Sequence, residues 1–91
     1  MQAKPLFALG RLVMTRGVAA LDLDVTVLLK LVHRHVTGDF GTICEEDRLA
    51  NIAAVENGLR VISAYQVGQT KLWIITEADR SSTTVLLPEE Y

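Results

Sequence analysis

Ninety-one residues with 49 % apolar content are enough for one small domain with a real core, and they exclude a disordered chain. A formal net charge of −2 excludes a DNA mimic and lacks the basic excess of a general nucleic-acid binder, although a local basic patch is compatible with it. One cysteine, Cys44, excludes an internal disulfide and a four-cysteine zinc site, and no uncharged stretch reaches the roughly eighteen residues that a membrane span needs.

The chain is expected to be one domain over 1–91, with no repeat, linker or low-complexity tract. Its first residues, MQAKPLFALGRLVM, hold one Lys and no apolar run of signal-peptide length, so a reducing cytoplasm is the expected location. Leu9–Met14 is apolar and reads as a short strand. Thr15 then caps a helical turn at Gly17–Leu21.

Asp24 is a suitable N-cap for the next helix, expected over 25–37. Val25, Leu28, Leu29, Val32 and Val36 follow at helical spacing, and Gly38 is placed to end it in the left-handed conformation. Thr42-x-x-Glu45 matches a capping box and opens a helix expected over 43–57. Leu49, Ile52 and Ala53 form its apolar stripe, and Gly58 ends it.

The rest reads as strands over 60–67, 71–76 and 83–87. RVISAYQV alternates, GQT makes a turn, KLWIIT is β-branched and aromatic, and Pro88 ends TTVLL. Short turns between consecutive strands imply antiparallel pairing. The expected fold class is α+β: N-terminal helices packed on a small antiparallel meander of three to four strands. The last strand, Thr83–Leu87, is expected at a sheet edge, where only Pro88, Glu89 and Glu90 guard its end. An edge of that kind points to a two-fold homodimer.

The densest chemistry lies in 33-HRHVTGDFGTICEEDR-48. His33 and His35 project about 200° apart on a helix and cannot chelate one metal ion, so no metal site is expected. Cations in the last turn of one helix and carboxylates in the first turn of the next are what the two helix dipoles favour. Gly38-Asp39-Phe40-Gly41 is expected to be the hinge between them, with Phe40 in the core and His35 packed beneath. His35 continues the Leu28–Leu31–Val32 face, so it should point inward and need a partner for each ring nitrogen, from Asp39 or from the sheet. A buried His beside a carboxylate is also how a general base is built.

A second cluster is 76-TEADRSSTT-84. Arg80 with its neighbouring hydroxyls could hold a phosphate, and Asp79 could instead bond its own turn. Arg60, Lys71 and Trp73 add basic and aromatic character to the same sheet, with Trp73 expected to be more core than platform. Cys44 is expected to be a small, partly buried residue at a helix start.

The segments 9-LGRLVMTRG-17, 35-HVTGDFG-41, 44-CEEDRLAN-51, 58-GLRVISAY-65 and 73-WIITEADRSSTTVLLPEEY-91 resemble a family of small proteins carried on plasmids and integrative elements of proteobacteria, usually called plasmid-related proteins. The family often has Trp where this chain has Phe40. Some members carry the label of a type I restriction–modification subunit, but 91 residues hold neither a methyltransferase domain nor its cofactor fingerprint. The resemblance brings no catalytic residue with it.

The leading expectation is therefore a non-enzymatic binding module of a mobile genetic element. The alternative is a small ribonuclease-like or toxin-like protein using His35 and Arg80, with Thr84 as a further catalytic candidate. Candidate binding residues are Asp39, Arg60, Trp73, Asp79 and Arg80. No cofactor is called for. A second copy of the chain, a protein partner or nucleic acid are the partners in view, and a membrane is not.

Overall fold

The computed structural model describes residues 4–91 and builds them from β1 (Arg11–Met14), α1 (Arg16–Ala20), α2 (Val25–Val36), α3 (Glu45–Asn57), β2 (Val61–Val67), β3 (Thr70–Thr76), β4 (Ser82–Leu86) and a 3-10 turn at Pro88–Glu90. The fold is α+β, as the two periodicities imply. The sheet has four strands in the order β1-β4-β3-β2. β2, β3 and β4 form the expected antiparallel meander.

β1 departs from the expected pattern, because it joins β4 in parallel. The Arg11 amide donates to the Ser81 carbonyl at 3.0 Å, and the Thr15 amide donates to the Val85 carbonyl at 3.0 Å. This pairing fills the outer side of β4, so Thr83–Leu87 is an interior strand and not the edge the sequence suggested. The two edges are β1 and β2.

The first helices form for the reasons read from the sequence. Thr15 caps α1 by accepting from the Val18 amide, and the Asp24 carboxylate caps α2 by accepting from the Thr26 amide at 2.8 Å. At the other end of α2, Gly38 has φ +98. The Asp39 amide reaches back to the Arg34 carbonyl at 2.8 Å and the Gly38 amide to that of His35 at 3.4 Å, the paired bonds of a Schellman C-terminus. Phe40, 4 % exposed, then drops into a cluster with Ala54 and Val61, so the hinge of 38–41 exists as expected.

The entry to α3 is different. Cys44, not Thr42, is the N-cap, its side chain makes no cap bond, and it is exposed where partial burial was expected. Thr42 is occupied elsewhere: its amide and hydroxyl both donate to the Ala64 carbonyl, at 2.7 and 3.4 Å. Glu45 therefore sits in the first turn and pairs with Arg48. The apolar stripe also turns outward. Leu49 and Ile52 are 53 % and 42 % exposed and Ala53 is exposed too, while Asn51 and Ala54 are buried.

Asn51 explains that rotation. Its amide donates to the Ile62 carbonyl at 2.7 Å, and its carbonyl accepts from the Ile62 amide at 3.1 Å. The side chain thus imitates a neighbouring strand. Beside it, Gly41 bridges to Ala64, whose amide donates to the Phe40 carbonyl at 3.1 Å. The outer edge of β2 is covered by these two devices, which protect it from further pairing.

Directly paired residues share a sheet face, which defines two sides. The helix-covered face carries Val61, Ser63, Tyr65, Leu72, Ile74, Thr76, Thr83 and Val85. Val18 of α1 and Leu31 and Val32 of α2 pack on its apolar members. The opposite face carries Ile62, Ala64, Lys71, Trp73, Ile75, Thr84 and Leu86. The chain end folds toward it, anchored by Glu90. That carboxylate accepts from the Thr15 hydroxyl, from the Gly17 amide at 3.0 Å and from the Leu87 amide at 2.9 Å. Tyr91 then reaches the Trp73 ring edge-on, with centroids 5.5 Å apart.

Candidate binding groove

His35 has no exposed surface. Its partners come from the sheet, not from Asp39 or the hinge. Nδ1 faces the Ser63 hydroxyl at 2.5 Å, and Nε2 faces the Thr76 hydroxyl at 2.9 Å. The direction of each proton follows from the far end of the chain of bonds. The Thr83 hydroxyl donates to the Leu9 carbonyl at 2.7 Å. Its proton is committed, so in the 2.7 Å contact between Thr76 and Thr83 the donor is Thr76. Thr76 can then only accept from His35, which fixes the neutral tautomer with its proton on Nε2. Nδ1 is left to accept from Ser63. No buried side-chain nitrogen or oxygen among the described residues lacks a partner.

Burial pushes the His35 pKa down from 6.5 to about 4. The unfolded chain takes up this proton near 6.5 and the folded chain only near 4, so between those values acid favours unfolding. The stabilisation is fully present above the unfolded value and is lost as pH falls to the folded one. At ~1.4 kcal/mol per pKa unit the loss is about 3 kcal/mol. Urea denaturation at stepped pH should show this decline, and a flat stability across the window would contradict it.

The other residues singled out by the sequence do not converge on His35. Arg80, in the β3–β4 loop at φ +59, donates to the carbonyls of Leu59 at 2.6 Å, Glu77 at 3.2 Å and Ala54 at 3.1 Å. It closes the C-terminus of α3, and its guanidinium lies 5.3 Å from the Phe7 ring centroid. Phe7 in turn packs edge-on against His35 at 5.2 Å, between the two residues of the nuclease reading. Thr84 points to the opposite face; Thr83 is the threonine in the buried chain. Asp79 accepts from the Ser81 amide at 3.0 Å and stabilises its own turn. Asp39 pairs with Arg34 at 2.7 Å on the surface, and Arg34 holds its carboxyl below the usual range. The Asp39 carbonyl accepts from the Tyr65 hydroxyl at 2.7 Å. Among the described residues no group of three His, Cys, Asp or Glu side chains is placed to hold a metal ion.

What the fold does bring together is Arg60, Lys71 and Trp73. They line a groove of about 520 Å³ between α3 and the open sheet face. Its floor is Ile62, Ala64 and Trp73, and one wall is Ile43, Cys44, Asp47 and Ala50. Trp73 is directly paired with Ala64, so the large ring lies beside a methyl group and space is left above the smaller residue. Trp73 is half-buried and lines the surface, where the sequence suggested core. Arg60 is held by Glu77 at 3.1 Å and donates to the Tyr91 hydroxyl at 3.1 Å. Its charge is therefore answered within the fold. Lys71 on the sheet and Asp47 on the helix have no ion-pair partner among the described residues.

Sequence reasoning missed the walls from α3 and the part played by Tyr91. The signal lay in Asn51, a polar residue at a core-facing helical position. Comparisons with protein-family models, curated proteins and solved structures found no match to this chain.

Proposed function

We propose that the chain is a non-enzymatic binding module of a mobile genetic element, acting in the cytoplasm as a homodimer and engaging a protein partner through the groove over Trp73. The groove carries this reading. It is concave and lined mainly by apolar and aromatic side chains, with one cation and one anion on different walls that have no ion-pair partner among the described residues, which suits an apolar peptide segment with charged ends. A phosphate backbone would ask for several cations, and Arg60 is already paired. His35 has both ring nitrogens engaged within the fold and Arg80 donates three bonds to backbone carbonyls, so the nuclease alternative draws no support from them.

A photoreactive residue placed at Lys71 should trap a discrete partner in the native host. The same residue placed at Lys30, on the exposed side of α2, should not. Identical cross-linking patterns from the two positions would remove the groove from the account. Cells making the wild type and His35→Ala should also grow equally, because a binding module has no hydrolytic toxicity for the substitution to relieve.

A further inference from the structure

We propose that β1 is the surface through which two copies join, pairing antiparallel across a two-fold axis at Val13 so that the two sheets become one. This deepens the dimeric part of the proposed function and rests on it. The first observation is that, among the described residues, the sheet leaves one edge uncovered. The β2 edge is covered by Phe40–Thr42 and by the Asn51 amide. Among the described residues β1 has no such cover. All four of its residues are exposed, including Leu12 at 43 %, Val13 at 37 % and Met14 at 53 %.

The second observation is the direction of the backbone. The amides of Arg11 and Thr15 point inward, toward Ser81 and Val85. Alternation along a strand therefore turns the N–H and C=O of Leu12 and Met14 outward. In an antiparallel two-fold pair, outward-pointing residues must face one another. An axis at Val13 sets Leu12 against Met14 of the second copy, and Met14 against Leu12, so all four outward groups of each strand find partners. An axis at Leu12 would pair Leu12 with itself and leave Met14 facing Gly10.

The third observation is the side-chain match in that register. Leu12 opposes Met14, Val13 opposes Val13, and Arg11 opposes Thr15, so no like charges meet. Leu12 and Met14 lie on the helix-covered face, beside the exposed Val25 and Leu29 of α2, which are 63 % and 53 % exposed. These residues line a small groove whose lining, among the described residues, is wholly apolar. Joining the sheets lays this apolar strip of one copy alongside that of the other.

The register is tested with single cysteines in a Cys44→Ser background. Opposed residues of a non-hydrogen-bonded antiparallel pair have Cα atoms roughly 4.5 Å apart, within disulfide reach, whereas diagonal positions lie about 7–8 Å apart. Val13→Cys should give a covalent dimer under mild oxidation, and Leu12→Cys should not. Light scattering of the wild type should report a dimer at micromolar concentration, and Met14→Lys should weaken it at least about tenfold while the circular dichroism of the fold is kept. A wild type that stays monomeric would overturn both this inference and the dimeric reading. A dimer that ignores Met14→Lys and does not cross-link through Val13→Cys would overturn the inference alone.

Discussion

His35→Ala should destabilise the chain by about 3–5 kcal/mol, measured by urea denaturation at neutral pH. Two terms add. The ring leaves a cavity beneath Phe7, and the hydroxyls of Ser63 and Thr76 lose their buried partner. An unsatisfied buried hydroxyl costs roughly 1–3 kcal/mol, which is more than the net gain from the bond it made. The same reasoning makes a second result the sharper test. The triple variant His35→Leu, Ser63→Ala, Thr76→Val removes donors and acceptors together and fills the space. It should recover most of the stability and lose the acid-dependent decline between pH 6.5 and about 4 that belongs to His35. A triple variant as unstable as His35→Ala would mean that the polar chain itself, and not its unsatisfied remnants, holds the sheet to α2.

Gly41→Ala should be comparably damaging, although it adds one methyl group. Gly41 has φ +79, and a Cβ there would lie 1.8 Å from the Ala64 carbonyl oxygen. The residue cannot move away without giving up the Ala64-to-Phe40 and Thr42-to-Ala64 bonds that seal the β2 edge. Gly68 is the control, because it has φ +60 and nothing within 4 Å of an added Cβ. Gly68→Ala should pay only the left-handed backbone cost of about 1–2 kcal/mol. Gly41→Ala adds the clash and the lost bonds, so about 3–5 kcal/mol is expected. Equal costs at the two glycines, read from denaturation midpoints, would show that the β2 edge is not held by this close approach.

Much of the helical half was legible because its signals are local. Asp24 had a free amide to cap, and Gly38 supplies a conformation that a side chain reaches only with strain. The errors came where a residue's partner lies far along the chain. Thr42 fits a capping box with Glu45, but the Ala64 carbonyl competes for its amide and hydroxyl and wins. Apolar periodicity placed Leu49 and Ile52 inside, because it gives no weight to an asparagine that pairs with a strand backbone. Once Asn51 faces β2, helical geometry turns Leu49 and Ile52 outward. The parallel pairing of β1 with β4 joins residues such as Leu12 and Thr83, and no turn between them could announce it.

The candidate site divides in the same way. Arg60, Lys71 and Trp73 could be grouped from strand alternation, whereas Cys44, Asp47 and Tyr91 are brought to the groove by the hinge and by the anchored chain end. His35 points inward, as its place on the Leu28–Leu31–Val32 face implies. A sequence cannot distinguish a sealed histidine from a general base, since both need oriented partners. The distinction is access to solvent, which Phe7 and the absence of any exposed surface remove.

The sheet therefore has a structural face, locked by a neutral histidine, and an opposite face that carries the groove proposed for binding. Nitrogen-15 NMR of the imidazole tests this division most directly. The account predicts a single neutral tautomer with the proton on Nε2, unchanged as pH falls through 6.5 and titrating only near 4. A His35 ring that titrates near its ordinary value and exchanges its proton with water would be an accessible base, and would return the chemistry to the face the account reserves for structure.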